Sequence, residues 1–307
     1  MRILVVGAGS TGGYFGGKLA KAGADVTFLV RPRRAEALKQ GGLQIVSPHG
    51  DFSIVPKLVS PGEIGEPHDL VILSVKAYSL DGAIEDMAPA IGDQTAIMPL
   101  LNGMRHLDVL KARFGEATLI GGLCKIASTL DAEGRVLQLS DFHDIVYGEL
   151  NGETTARIEA IDAAMRAAGV GARLSGAILR EMWEKWTFLA TLAGTTCLMR
   201  GSVGEMVASP AGERFVEAFL AEVVSIVSAV GLAPTERFLA GARKMLTAQG
   251  SSLTSSMLRD LLQGNMIEAD QIIGDLLVRG ERAGIMAPLL NAAYANLAVY
   301  EGRGRNA

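Results

Sequence analysis

Gly7-Ala8-Gly9-Ser10-Thr11-Gly12 fits the pattern G-x-G-x-x-G, and its setting gives the pattern chemical meaning. The run follows an aliphatic, β-branched segment, Arg2–Val6, and opens a helical one, Thr11–Ala22, before an extended run returns at Asp25–Val30. In such a βαβ unit Gly7 permits the tight turn, Gly9 lets the backbone approach a pyrophosphate, and Gly12 lets the helix pack closely. The unpaired amides at the helix start, which includes Ser10 and Thr11, and the positive end of the helix dipole then attract phosphate. An acidic residue ending the second strand would bind the adenosine ribose and repel a 2′-phosphate. Here the strand ends Leu29-Val30-Arg31, with Asp25 at its far end. Arg31 therefore predicts NADP(H), its guanidinium forking onto the phosphate. Arg33 and Arg34 read as solvated helix-start charges, with Arg34 a candidate second contact.

A second chemistry is proton transfer. Trp183-Glu184-Lys185-Trp186 sets a lysine between two tryptophans at the start of a long apolar helix, on a face that continues through Leu189, Leu192 and Thr196. A lysine heading an apolar stripe either snorkels its charge outward or is partly desolvated and able to protonate a carbonyl oxygen as hydride reaches the carbon. Two loops leave the carboxyl ends of strands, where open α/β sheets bind ligands: Ser74-Val75-Lys76-Ala77 and Leu101-Asn102-Gly103-Met104. By position alone, Lys76 and Asn102 are equally readable as solvated or turn residues. Ser251–Met257 is rich in hydroxyls, with Ser255 or Ser256 able to cap a following helix, and Glu268 comes soon after.

These residues need elements to hold them. Short aliphatic runs alternate with helical patterns through the first half: strands at Arg2–Val6, Asp25–Val30, Leu70–Val75, Thr95–Leu100 and Thr118–Cys124, with a small hairpin from Gly42–Val46 and Phe52–Val59. That alternation predicts an α/β fold with a Rossmann-type, parallel, doubly wound sheet. Val136–Leu139 and Asp144–Tyr147 are further extended runs. Beyond about residue 175 helical periodicity takes over, so the reading is an NADP-binding domain over 1–172 and an all-helical substrate domain over 173–307, joined near the loop Gly169–Gly176, with a ligand expected in the cleft. The apolar face Ala218–Val230 reads as core and leaves a homodimer seam as the alternative.

Composition restricts the partners. The chain has 307 residues, with Lys plus Arg 29 against Asp plus Glu 33, a net charge of −4 that recommends neither nucleic acid nor an anionic membrane. Mean hydropathy is +0.28. Yet the charge-free stretch Trp186–Met199 falls short of the ~20 residues a membrane span requires. Two cysteines, Cys124 and Cys197, supply neither a disulfide framework nor a four-ligand zinc site, and no metal is expected. The N-terminus lacks the features of a signal peptide, so a cytoplasmic location is expected.

Taken together, from Arg2 nearly to Tyr300, the chain resembles the ketopantoate reductase (2-dehydropantoate 2-reductase) family. The glycine loop, Arg31, Val75-Lys76, Leu101-Asn102-Gly103, Trp183-Glu184-Lys185-Trp186, and Ser255-Ser256-Met257-Leu258-Arg259-Asp260 followed by Glu268 carry the resemblance. It implies NADPH-dependent reduction of a small-molecule 2-oxo acid, with a helical domain similar to that of 6-phosphogluconate dehydrogenase. It also implies roles: Lys76 near the nicotinamide-side ribose and phosphates, Asn102 positioning cofactor and substrate, Lys185 as general acid, Ser256 binding substrate, and Glu268 orienting lysine and substrate hydroxyl. The family usually places asparagines four and eight residues after the lysine, where this chain has Leu189 and Ala193. Losing those amides favours a 2-oxo acid with a more apolar tail. A non-catalytic NADP(H) sensor is the alternative from another class, against which the pairing of Lys185 with Glu268 counts.

Overall fold

The computed structural model describes residues 1–305. By internal contacts the chain forms two compact units: Met1–Leu101 with His106–Leu179, and Asn102–Arg105 with the segment from Arg180 onward. The division at Leu179 lies beyond the 172/173 boundary read from the sequence, because Gly171–Leu174, expected as linker, is a strand of the first unit.

The first unit runs β1 (Arg2–Val6), α1 (Ser10–Lys21), β2 (Asp25–Leu29), α2 (Pro32–Gly41), β3 (Leu43–Val46), β4 (Phe52–Ile54), β5 (Lys57–Val59), β6 (Leu70–Leu73), α3 (Leu80–Met87), β7 (Ala96–Pro99), α4 (Arg105–Phe114, its first residue outside the unit), β8 (Ile120–Leu130), β9 (Val136–Glu149), α5 (Ala156–Ala167) and β10 (Gly171–Leu174). The expected parallel sheet is present in the order β5-β2-β1-β6-β7. Its central strand shows how the sequence builds the layers. Ile3 and Val5 enter one core with Tyr14, Phe15 and Leu19, while Leu4 and Val6 enter another with Leu73, Ile84 and Met87. A strand covered on both faces must be apolar at every position, as this one is after Arg2.

A second sheet, in the order β10-β9-β3-β4 with β8 paired to β9, was not expected. The helix α1 lies between the two sheets: a Cβ at Gly16 would come within 2.6 Å of Phe28 on the first, and one at Gly17 within 2.8 Å of Ile45 on the second. The run Phe52–Val59, read as one strand, is two. β4 pairs antiparallel with β3, whereas β5 pairs parallel with β2. Between them stand Val55, 96% exposed, and Pro56, which has no N–H to give a ladder.

The second unit contains α6 (Ile178–Met199, from Arg180), α7 (Val203–Ala208), α8 (Gly212–Val230), α9 (Glu236–Leu246), α10 (Ser256–Leu262), α11 (Asp275–Arg282) and α12 (Pro288–Arg305), with a π-helical turn, Asp270–Gly274, leading into α11. The apolar face of α8 is intraunit core: Val216, Phe219, Leu220, Val223, Ile226 and Val227 are all buried, each such side chain contributing about 1.5–3 kcal/mol. Close crossings occur at glycines, where a Cβ at Gly194 would lie 2.3 Å from Phe219 and one at Gly280 2.8 Å from Ile226. The buried hydroxyls of Thr187, Thr191, Thr195 and Thr196 each donate to the carbonyl four residues back, so α6 satisfies its polar groups internally. Among the described residues, no helix is long and apolar enough to cross a membrane.

Candidate functional site

The glycine loop follows β1 directly. Gly7 adopts φ +94°, a conformation open to glycine, and its N–H donates to Leu29 O at 3.1 Å. A Cβ at Gly12 would stand 2.0 Å from Ser74 Oγ and 2.1 Å from Gly7 O, so only hydrogen fits. At Gly9 the same construction meets nothing within 4 Å. Gly9 is also the N-cap of α1, with no side chain to satisfy the first amides, and Ser10 and Thr11 begin the helix partly exposed. Closed under Gly12, open over Gly9 and unpaired at the helix start, the loop has the form a pyrophosphate requires.

Arg31 is the exposed N-cap of α2, immediately beyond β2, and Pro32 occupies the first helical position. Arg33 is exposed as well. Arg34 differs from its sequence reading as a solvated charge: it is half-buried, and its Nε donates to Ala8 O at 3.0 Å. Lys76 is exposed at the start of a short turn, Ala77–Ser79. The preceding Ser74 and Val75 are the residues against which Gly7 and Gly12 pack, so the strand end bearing Lys76 is fixed to the glycine loop.

In the second unit, α6 carries Lys185 half-buried between Trp183, 6% exposed, and Trp186, 1% exposed. The two rings lie 5.3 Å apart, with the Arg279 guanidinium 6.0 and 5.8 Å from them. Beneath Trp183, a Cβ at Gly231 would come within 2.5 Å of the indole. Glu184 Oε1 accepts from Thr235 N at 2.9 Å and Oγ1 at 2.7 Å, tying this helix to the start of α9. Three of the four motif residues are thus anchors around the fourth. Farther along, Leu189 is partly exposed and Ala193 is buried.

The π-helical turn organises the remaining candidates. Trp186 Nε1 donates to Ile272 O at 2.9 Å, and Ile272 N donates to the carbonyl of Glu268 at 3.0 Å, so one residue joins the segments bearing Lys185 and Glu268. Glu268 itself is half-buried. Gln271 Nε2 donates to the carbonyl of Asn102 at 2.9 Å. Gly103, at φ +79°, leaves room for this approach, since a Cβ there would stand 2.6 Å from Gln271 O. Of the two candidate capping serines, Ser255 is the cap: it is buried, accepts from Leu258 N at 3.0 Å and shares a hydrogen bond with Thr196. Ser256 is exposed. Burial pushes the neighbouring Cys197 thiol up to about 11, which keeps it protonated and inert.

Sequence reasoning missed Gln271 and the π-helical turn. A lone glutamine carries no signal, and one widened turn is too short to shift a helical periodicity, although such turns recur at functional sites. Among the described residues, no group of three or more His, Cys, Asp or Glu is placed to hold a metal ion.

Comparison with known proteins adds an independent line. The profile of the family described as Ketopantoate reductase PanE/ApbA matches residues 3–152, and that of its C-terminal domain matches residues 177–301. YkpB of Bacillus subtilis (strain 168), an uncharacterized oxidoreductase, is 40% identical over 301 residues, covering 98% of this chain and 99% of its own. The crystal structure of 2-dehydropantoate 2-reductase from Geobacter metallireducens GS-15 is similar with a TM-score of 0.87 at 30% identity, covering 97% of this chain and 99% of its own. D-mandelate dehydrogenase, solved with NADH and anilino(oxo)acetate, shares the fold with a TM-score of 0.88 at 21% identity, over 99% of this chain and 100% of its own.

Proposed function

Since this chain belongs to the ketopantoate reductase family, as an NAD(P)H-dependent oxidoreductase acting on CH–OH groups, we propose that it reduces a 2-oxo acid to a 2-hydroxy acid with NADPH, and that 2-dehydropantoate (ketopantoate) is the substrate. The observation that carries the reading is the setting of Lys185, half-buried between two sealed tryptophans on a segment that Ile272 ties to Glu268. The dihydronicotinamide, when bound, supplies hydride to the carbonyl carbon. Lys185 then gives its Nζ proton to the oxygen as negative charge develops there, a step of general acid catalysis. Glu268 orients the ammonium and favours its charged form. Ser256 and Asn102 hold the substrate, with Asn102 also positioning the cofactor. Gly7, Gly9, Ser10, Thr11 and Gly12 cradle the pyrophosphate, Arg31 takes the 2′-phosphate, and Lys76 serves the nicotinamide side. With ketopantoate as substrate, the product pantoate assigns the reaction to pantothenate biosynthesis.

Leu189 favours a second substrate within the same reaction. It is partly exposed one turn beyond Lys185, and neither it nor Ala193 offers an amide to a polar tail. A branched, apolar 2-oxo acid suits such a surface better than ketopantoate. The experiment is an NADPH oxidation screen across 2-oxo acids. Highest kcat/KM on ketopantoate supports the first substrate, and highest kcat/KM on an apolar acid supports the second. Absence of turnover on the whole panel, with NADPH still bound, would overturn the enzymatic reading in favour of a sensor.

A further inference from the structure

Arg34 is a charged side chain that holds the glycine loop through the backbone. Its Nε donates to Ala8 O at 3.0 Å, and its Nη1 donates to Gly134 O at 2.8 Å. Gly134 lies in the turn between β8 and β9, which is itself closed by Gly134 N to Asp131 O at 3.1 Å and Asp131 N to Arg135 O at 3.1 Å. Gly134 has φ +80°, and a Cβ there would lie 2.8 Å from Arg34 Nη1, so the turn is shaped to admit the guanidinium. The third nitrogen, Nη2, is buried without an acceptor among the described residues. Burial lowers the pKa of this guanidinium. A half-buried cation whose hydrogen bonds go to two backbone carbonyls serves position and local charge more than stability.

Its place on α2 matters as much as its contacts. Arg31, the N-cap, sits one turn ahead of it, and Ala35 N donates to Arg31 O at 3.0 Å, closing the first turn that carries both arginines. Fixing Arg34 to Ala8 therefore fixes the start of α2 relative to the loop. We propose that Arg34, latched to the Gly134 turn, is a positioning residue that holds the glycine loop and Arg31 in register for NADPH. This rests on the cofactor reading above. It assigns Arg34 no contact with the reacting atoms.

The test compares wild type, Arg34→Gln, Arg34→Lys and Gly134→Ala by NADPH fluorescence titration, steady-state kinetics and thermal unfolding. Gly134→Ala keeps the charge and crowds the latch while also straining the turn at φ +80°, a strain that thermal unfolding reads separately from NADPH affinity. The expected result is an NADPH Kd raised about tenfold in Arg34→Gln and at least about fivefold in Gly134→Ala, with Arg34→Lys restoring part of the loss. KM for NADPH should rise in step while kcat at saturation stays within about twofold, a split that simple destabilisation does not produce. A rise below fivefold in Arg34→Gln overturns the proposal, and so does wild-type affinity in Gly134→Ala. Should Arg34→Gln not fold, Gly134→Ala and Arg34→Lys decide by the same criterion. Wild-type protein that does not bind NADPH overturns the cofactor reading itself, and the latch with it.

Discussion

The indole N–H of Trp186 donates to the backbone carbonyl of Ile272 at 2.9 Å, inside the π-helical turn Asp270–Gly274, and Ile272 N in turn donates to Glu268 O at 3.0 Å. Trp186→Phe keeps most of the packed volume and removes only this donor, at a cost of about 0.5–1.5 kcal/mol, the worth of one hydrogen bond. The expected outcome is a lower unfolding midpoint together with a reduced kcat and an unchanged NADPH Kd. Stopped-flow turnover on folded protein checks it; a destabilised variant with wild-type kcat would show that the link to Glu268 has no part in catalysis.

Gly9 and Gly12 should respond differently to the same substitution. Gly12→Ala places a Cβ against backbone at 2.1 Å and should disrupt the packing of α1, with overpacking of this kind costing about 1–3 kcal/mol or more. Gly9→Ala meets open space, so the protein should fold normally and lose NADPH affinity where the methyl obstructs the pyrophosphate. Calorimetry and NADPH titration on both variants separate the two effects.

Neighbouring serines make a similar contrast. Ser255→Ala removes the N-cap of α10 and a buried partner of Thr196, for an expected loss of about 1–2 kcal/mol. Ser256→Ala should leave the unfolding midpoint unchanged and raise KM for the 2-oxo acid about tenfold, the size of one lost substrate hydrogen bond. The measurement is denaturant unfolding set beside steady-state kinetics.

Much of the scaffold was legible because local pattern and tertiary burial agree. Arg2–Val6 occurs with the bounds that its apolar run indicates, and the helical periodicity beyond about residue 175 is realised in α6 to α12. The second sheet was not legible. β9 is one strand of 14 residues whose partner β8 shifts register between Ile126 and Ser128, and a bulge breaks the alternation that would reveal continuity. The sequence offers site candidates where chemistry needs a rare residue in a fixed place, as at Gly7, Arg31 and Lys185. The site was hidden where a common residue works through the backbone: Gln271 reaching Asn102, Ile272 receiving Trp186, and Arg34 holding Ala8.

Acid stability should report a partly buried pair away from the site. Glu149 is 5% exposed; burial opposes its ionisation, but hydrogen bonds from Arg157 at 2.6 and 2.8 Å and from Thr155 at 2.5 Å hold its carboxyl below the usual glutamate range. A depressed folded pKa stabilises above the unfolded value, about 4.3, and that contribution is lost as pH falls through the folded one. Arg157→Met should cost about 1–3 kcal/mol at neutral pH, less than a fully buried pair because solvent reaches Arg157, and the difference from wild type should narrow below about pH 4 as Glu149 becomes neutral. A pH series of urea unfolding curves shows whether the gap closes or stays constant.

Lys185 as proton donor is the central claim, and single-turnover NADPH oxidation by Lys185→Ala tests it most directly, using the 2-oxo acid that the screen identifies and measuring NADPH affinity on the same preparation. The prediction is an NADPH Kd within about threefold of wild type and a chemical step slowed by about 100- to 10,000-fold, the range general acid catalysis supplies. A Lys185→Ala enzyme that retains more than about a tenth of the wild-type single-turnover rate, well above that range, would contradict it.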